Sequence, residues 1–215
     1  MRRAIFVCLQ VLTVSVAPTL AFAEPIAFKL LSNYSRATFK TDAPLETVVG
    51  NTAAQGVTGS LSVDPARPQG ATGTVQIDMS KVKTGIDKRD ADMLTKSYLD
   101  VEAVDANKFA SFQIKSVEMA GPLEPGKEQP AKVKGIFTVK QKPIEVVADA
   151  RVTYVKLTPE QVEAQKRFGF TTDNLKVRAK FATTFTNHGM QVPQLLFLKV
   201  SNEIALETDL TFARQ

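Results

Sequence analysis

From Val177 to Phe185 the chain alternates without a break. Val177, Ala179, Phe181, Thr183 and Phe185 fall on one side, and Arg178, Lys180 and Thr184 on the other. Ile204, Leu206, Thr208, Leu210 and Phe212 repeat the pattern near the C-terminus. A period of two is that of a β-strand with one dry and one wet face. It recurs upstream in Ser35, Ala37, Phe39 and Thr41, in Val75, Ile77 and Met79, and in Val133, Gly135, Phe137 and Val139. Ile144, Val146, Ala148, Ala150, Val152 and Tyr154 form a further apolar face. Turn chemistry separates these runs: Asp64-Pro65 with Arg67-Pro68-Gln69-Gly70, then Gln141-Lys142-Pro143, then Asn187-His188-Gly189. Gly121 to Pro130 reads as an exposed loop. About eight strands result, mostly antiparallel because their connections are short. Such a sheet best avoids exposed edges by closing into a barrel, so the fold class is all-β.

Two segments break the period. Thr158-Pro159-Glu160-Gln161 is a capping box with proline at the first helical position, and Gly169 should end the helix it starts. The longer interruption runs from Thr84 to Phe112. Asp87 or Asp90 can cap a helix there, and Met93, Leu94, Tyr98 and Val101 recur at helical spacing. This stretch reads as a cap on the barrel. Arg89 and Asp90 are expected to anchor it as an ion pair, or else to hold a polar head group. Leu94, Tyr98 and Leu99 either plug the barrel end or line a ligand mouth, and the two readings are compatible.

The N-terminus reads as a secretory signal. Arg2 and Arg3 precede an apolar stretch from Ile5 to Val16, and Ala21-Phe22-Ala23 is an A-x-A cleavage site. Residues 1–23 are therefore expected to be removed, leaving 24–215 as one domain in the periplasm. The sole cysteine, Cys8, goes with the signal, so the exported chain has no disulfide and relies on its core. Loss of Arg2 and Arg3 lowers the formal charge of +5 by two. That mild excess, with no basic stripe interleaved with aromatics, argues against nucleic acid as a partner. His188 is the only histidine and reads as a turn residue. One histidine and no retained cysteine give a poor ligand supply for a transition metal and a poor base supply for a nucleophile. No catalytic or metal site is expected.

Eight strands make a barrel that side chains just fill, or that holds one ligand. The inferred inward faces mix Gly59, Gly135, Ala148, Ala150, Ala179, Thr183 and Thr208 with Phe39, Phe112, Phe137, Phe181 and Phe185. Either large and small residues interlock, or the small ones leave an apolar slot. The inward threonines favour the slot, because a dry core would need partners for their hydroxyls.

Thr84-Gly85, Arg89-Asp90, Met93, Tyr98-Leu99-Asp100-Val101-Glu102 and Lys108-Phe109-Ala110-Ser111-Phe112 together resemble the core signature of the YceI-like family. Val133 to Val139, Lys142-Pro143-Ile144 and Arg167-Phe168-Gly169-Phe170 continue the resemblance in order. It implies a lipocalin-like antiparallel barrel with short capping helices. It implies an exported, non-catalytic protein that holds a long apolar or amphiphilic chain: a polyisoprenoid, an isoprenoid quinone or a fatty amide. No cofactor is implied beyond such a lipid as ligand. Transient contact with a membrane or with lipid-handling proteins fits the same role, and a homodimer is left open. The expected cavity and mouth residues are Phe39, Leu94, Tyr98, Leu99, Phe112, Phe137, Phe170, Phe181 and Phe185. Three places depart from the family pattern. Its His-Leu is Asp92-Met93 here, and Asn107-Lys108 stands where a proline is usual. Its late Arg-Asp-Phe-Gly run is replaced in Thr184 to Gly189. A filled structural or stress-response barrel, and a hydrolase acting on such lipids, are the alternatives.

Overall fold

A computed structural model of the chain describes residues 24–195 and 198–215. The expected signal, residues 1–23, lies outside the described residues. Strands β1 (Ile26–Leu30), β2 (Arg36–Ala43), β3 (Glu46–Thr52), β4 (Val57–Val63), β5 (Thr72–Asp78) and β6 (Val82–Lys83) precede helix α1 (Asp87–Leu94). Then come β7 (Phe109–Met119), β8 (Glu128–Val139), β9 (Lys142–Lys156), helix α2 (Pro159–Gln165) and β10 (Asp173–Thr184). The short pair β11 (Gln194–Leu195) and β12 (Leu198–Lys199) leads to β13 (Glu203–Arg214).

The main sheet holds eleven of these strands yet closes as an eight-stranded antiparallel barrel. Three of its staves are broken. A 3-10 turn at Ser32–Tyr34 separates β1 from β2, residues 53–56 separate β3 from β4, and a 3-10 turn at Met79–Lys81 separates β5 from β6. The halves stay in step: β1 pairs with β4 while β2 pairs with β3, and β4 pairs with β5 while β3 pairs with β6. β7, β8, β9, β10 and β13 follow as whole staves, and β13 closes the barrel on both β1 and β2. Closure leaves the long strands no free edge.

Local chemistry explains the connections. The β8–β9 turn is Lys140-Gln141, both at positive φ (50° and 60°), as a tight two-residue hairpin requires. The turn sits earlier than the sequence suggests: Lys142 and Pro143 already pair in β9, opposite Val139 and Thr138. The capping box at Thr158 forms in full, with the Gln161 N–H reaching the Thr158 hydroxyl and the Thr158 N–H reaching Oε1 of Gln161. Gly169, at φ 85°, ends the following 3-10 turn in the left-handed region. Residues 121–130 are not an exposed loop throughout. Leu123 is buried in the core, and the buried Gln129 amide accepts from the Glu124 N–H and donates to the Pro122 carbonyl. An apolar anchor and a satisfied amide hold that segment down.

Candidate functional site: a capped apolar cavity

The barrel interior is layered, and strand register sets the layers. Tyr154, Leu175, Phe212 and Leu30 stand side by side on β9, β10, β13 and β1. With Phe28, Leu123 and Val63 they close one end, all at most 6% exposed. The Tyr154 hydroxyl there donates to Asp173, whose other oxygen accepts from Arg214 at 3.0 Å. The next level holds Val152, Val177 and Leu210. Above it, Ala150, Ala179, Thr208 and Ala37 occupy four consecutive staves at one height. Phe181, Leu206, Phe39 and Gly50 form the level beyond, and Thr183 with Ile204 the one after that.

The alanine–threonine level keeps the barrel hollow. Four neighbouring staves point small side chains at the axis together, so no large residue crosses it from that side. A cavity of about 610 Å³ results, lined mostly by apolar side chains and running from Phe212 and Leu210 up to Met93, Tyr98 and Leu99. That size lies within the usual range for small-molecule sites. Two aromatic rings are kept out of it by glycines. A Cβ at Gly50 would stand 2.0 Å from Cε1 of Phe39, and one at Gly135 would stand 2.5 Å from the Phe112 ring. Each ring occupies the space that a side chain at its glycine would take.

The stretch 84–108 covers the far end. The Leu99 and Val101 N–H groups bond the Met93 and Leu94 carbonyls. Lys140 on the β8–β9 turn donates to the Lys96 carbonyl, Gln141 donates to Asn107, and the Gln191 N–H donates to the Ser97 carbonyl. Neither Asp87 nor Asp90 caps α1; Ile86 stands at the cap position without a side-chain bond. Asp90 turns back instead and accepts from the Thr84 N–H (2.7 Å) and hydroxyl (2.8 Å). Burial pushes its carboxyl up, and the Thr84 donors with the Lys83 and Arg89 charges outweigh that and hold it below the usual 3.8. Arg89 does not pair with Asp90 either. Its guanidinium meets Glu46 on β3 at 2.9 Å, because the helix aims it across the rim. Lys88 pairs with Asp92 one turn along, at 3.0 Å.

Phe39, Phe112, Phe137, Phe181 and Phe185 all line the cavity, as do Tyr98 and Leu99 under the cap. Leu94 does not. It packs into the apolar cluster at the capped end, and Met93 takes the inward place. Phe170 lies away from the barrel interior. It stacks on Tyr34, ring centres 5.2 Å apart, beside a second cavity under α2. Its segment follows α2 and runs outside the sheet, so it has no route to the interior.

Sequence reasoning gave His188 no role beyond the turn. It does lie in a turn, but its side chain is fully buried and lines the cavity. Gly189, at φ 66°, reverses the chain there and lets the imidazole tuck back under Phe137, edge-on at 5.5 Å. Nδ1 lies 3.3 Å from the Lys142 carbonyl, which can only accept, so we assign the ring proton to Nδ1, and Nε2 then accepts from the Thr183 hydroxyl at 2.8 Å. Burial lowers the His188 pKa below 6.5, partly opposed by the Lys142 and Val139 carbonyls. The pair has the outline of a nucleophile and base. Its orienting group, however, is a neutral carbonyl, and burial disfavours the imidazolium that such a base must become. Among the described residues no three His, Cys, Asp or Glu side chains gather as a metal site. The only hint of His188 in the sequence was its place between Phe185 and Met190, both of which also line the cavity.

The YceI-like domain model matches residues 28–212, nearly the whole barrel. The chain belongs to the YceI-like family. Solved structures share this YceI-like fold at low identity. A polyisoprenoid-binding domain from Saccharophagus degradans, implicated in plant cell wall breakdown, is 13% identical with a TM-score of 0.63. That match covers 88% of this chain and 99% of the other. BcnA of Burkholderia cenocepacia is 16% identical over 82% of this chain and 95% of its own, with a TM-score of 0.60. A YceI protein of Campylobacter jejuni is 15% identical over 79% and 86%, with a TM-score of 0.59. No curated protein matches the chain. Against the family pattern, Asp92 sits on the rim with Lys88, Met93 lines the cavity, and the buried Asn107 bonds the cap to Gln141. The altered late run carries His188 into the cavity wall.

Proposed function

We propose that this protein is an exported, non-catalytic carrier that holds one long apolar or amphiphilic chain inside its barrel, for transport, storage or sequestration in the periplasm. A polyisoprenoid, an isoprenoid quinone or a fatty amide is the ligand class. The observation that carries the reading is the apolar cavity that passes through the Ala150–Ala179–Thr208–Ala37 level. The family and the polyisoprenoid-binding neighbour support it. Each buried methylene contributes roughly 0.8 kcal/mol, so a long isoprenoid binds tightly here without many polar contacts. The signal-like sequence of residues 1–23 supports export.

The test fills the cavity. Ala150→Phe and Ala179→Phe each drive a ring into the axis at the level that small side chains keep open. Each variant is expected to keep the far-ultraviolet dichroism of the wild type and to lose binding of a C20 isoprenoid alcohol. A folded variant that binds as tightly as the wild type places the ligand elsewhere and overturns the reading.

A further inference from the structure

We infer that the His188–Thr183 pair is a polar subsite in the cavity wall, selecting a ligand whose head is an uncharged hydrogen-bond donor, a hydroxyl above all. The inference rests on the carrier reading above and specifies its ligand. The Lys142 carbonyl holds the imidazole with its proton on Nδ1, so Nε2 takes the Thr183 hydrogen. With that hydrogen committed, the Thr183 oxygen offers only lone pairs to the cavity it lines. It therefore accepts from a ligand O–H and gives nothing to an ether or carbonyl oxygen. Thr183 lies one level beyond Phe181, on the capped side of the small-residue level. A hydroxyl bound there leaves its tail pointing down the axis toward Leu210 and Phe212. The rim charges fit an uncharged head as well. Among the described residues that line the cavity, Arg89 is matched by Glu46 and Lys88 by Asp92, so that lining presents no surplus Lys or Arg to a phosphate.

The experiment compares geranylgeraniol, its methyl ether and its monophosphate by equilibrium binding to the full exported chain. The alcohol should bind roughly three- to tenfold tighter than the ether, as expected for one neutral hydrogen bond, and the phosphate no tighter than the alcohol. T183V should erase the preference by weakening only the alcohol. H188F frees the Thr183 hydrogen and should narrow the preference by strengthening the ether. With one histidine in the chain, its ring nitrogen resonances give a readout in the wild type alone. Nε2 should move with the alcohol and stay with the ether. Equal binding of alcohol and ether, a preference that survives in T183V, or a phosphate that binds tighter than the alcohol overturns the subsite while leaving the carrier reading intact. Failure of all three probes to bind overturns both.

Discussion

Replacing Gly50 by alanine adds one methyl group to β3, where the backbone is ordinary strand and accepts it. The three nearest atoms to the new Cβ all belong to the Phe39 ring, at 2.0, 2.7 and 2.8 Å. The ring must therefore leave the wall and swing toward the cavity. Overpacking of this kind costs about 1–3 kcal/mol. Loss of glycine freedom from the unfolded chain returns about 0.4–1 kcal/mol, so the net loss is on the order of 1–2 kcal/mol. In a Phe39→Ala background the obstacle is gone, and Gly50→Ala should be neutral or stabilising by up to about 1 kcal/mol. The expected coupling between the sites is thus roughly 2 kcal/mol in a double-mutant cycle. Gly135 supplies the contrast. A Cβ there meets the Phe112 ring at 2.5 Å but also the Gln113 carbonyl oxygen at 2.6 Å. Backbone does not swing aside, so Phe112→Leu should fail to rescue Gly135→Ala. Urea unfolding followed by circular dichroism measures all six variants. Equal costs for Gly50→Ala with and without Phe39, or full rescue at Gly135, would refute the argument that these glycines exist to seat the rings.

Further expectations follow from the buried polar groups. Asp90→Ala strands the Thr84 N–H and should destabilise by about 1–3 kcal/mol, whereas Arg89→Ala breaks only a rim pair worth less than about 1 kcal/mol. Comparable losses in urea would contradict that ranking. Burial, with the Asp173 bond and charge, pushes the Tyr154 phenol up to about 12. The folded chain keeps this proton where the unfolded chain sheds it, so the stabilisation is complete below about pH 10 and lost as pH rises through 12. Ultraviolet titration should show one late tyrosine step that Tyr154→Phe removes. His188 shifts the other way: the unfolded chain takes up its proton first as pH falls. Stability should drop as pH falls below 6.5, and that part of the pH dependence should vanish in His188→Phe.

The closed barrel was legible because period-two alternation is a backbone property that tertiary packing rarely overrides in long strands such as β10 and β13. The capping box at Thr158 and the turn at Gly189 were legible for the same local reason. Register was not. Ala150, Ala179, Thr208 and Ala37 lie on strands distant in sequence, and nothing in any one strand says that they meet at one height. Whether the barrel was hollow therefore stayed open until they did. The cap showed the limit from another side. Asp90 and Arg89 are adjacent, but a helix turns neighbours about 100° apart, so one reached back to Thr84 and the other across to Glu46. Leu94 gave way to Met93 by the same geometry. His188 left no trace in periodicity, because a left-handed glycine, not a strand, aims it.

Native mass spectrometry of the chain purified from an exporting host, with organic extraction of the same sample, tests the central claim most directly. The account predicts a protein heavier than its processed chain by one apolar molecule. That molecule should appear in the extract, and Ala179→Phe should displace it. A protein at its bare mass, with an empty extract and no uptake of added C20 isoprenoid alcohol, would contradict the account.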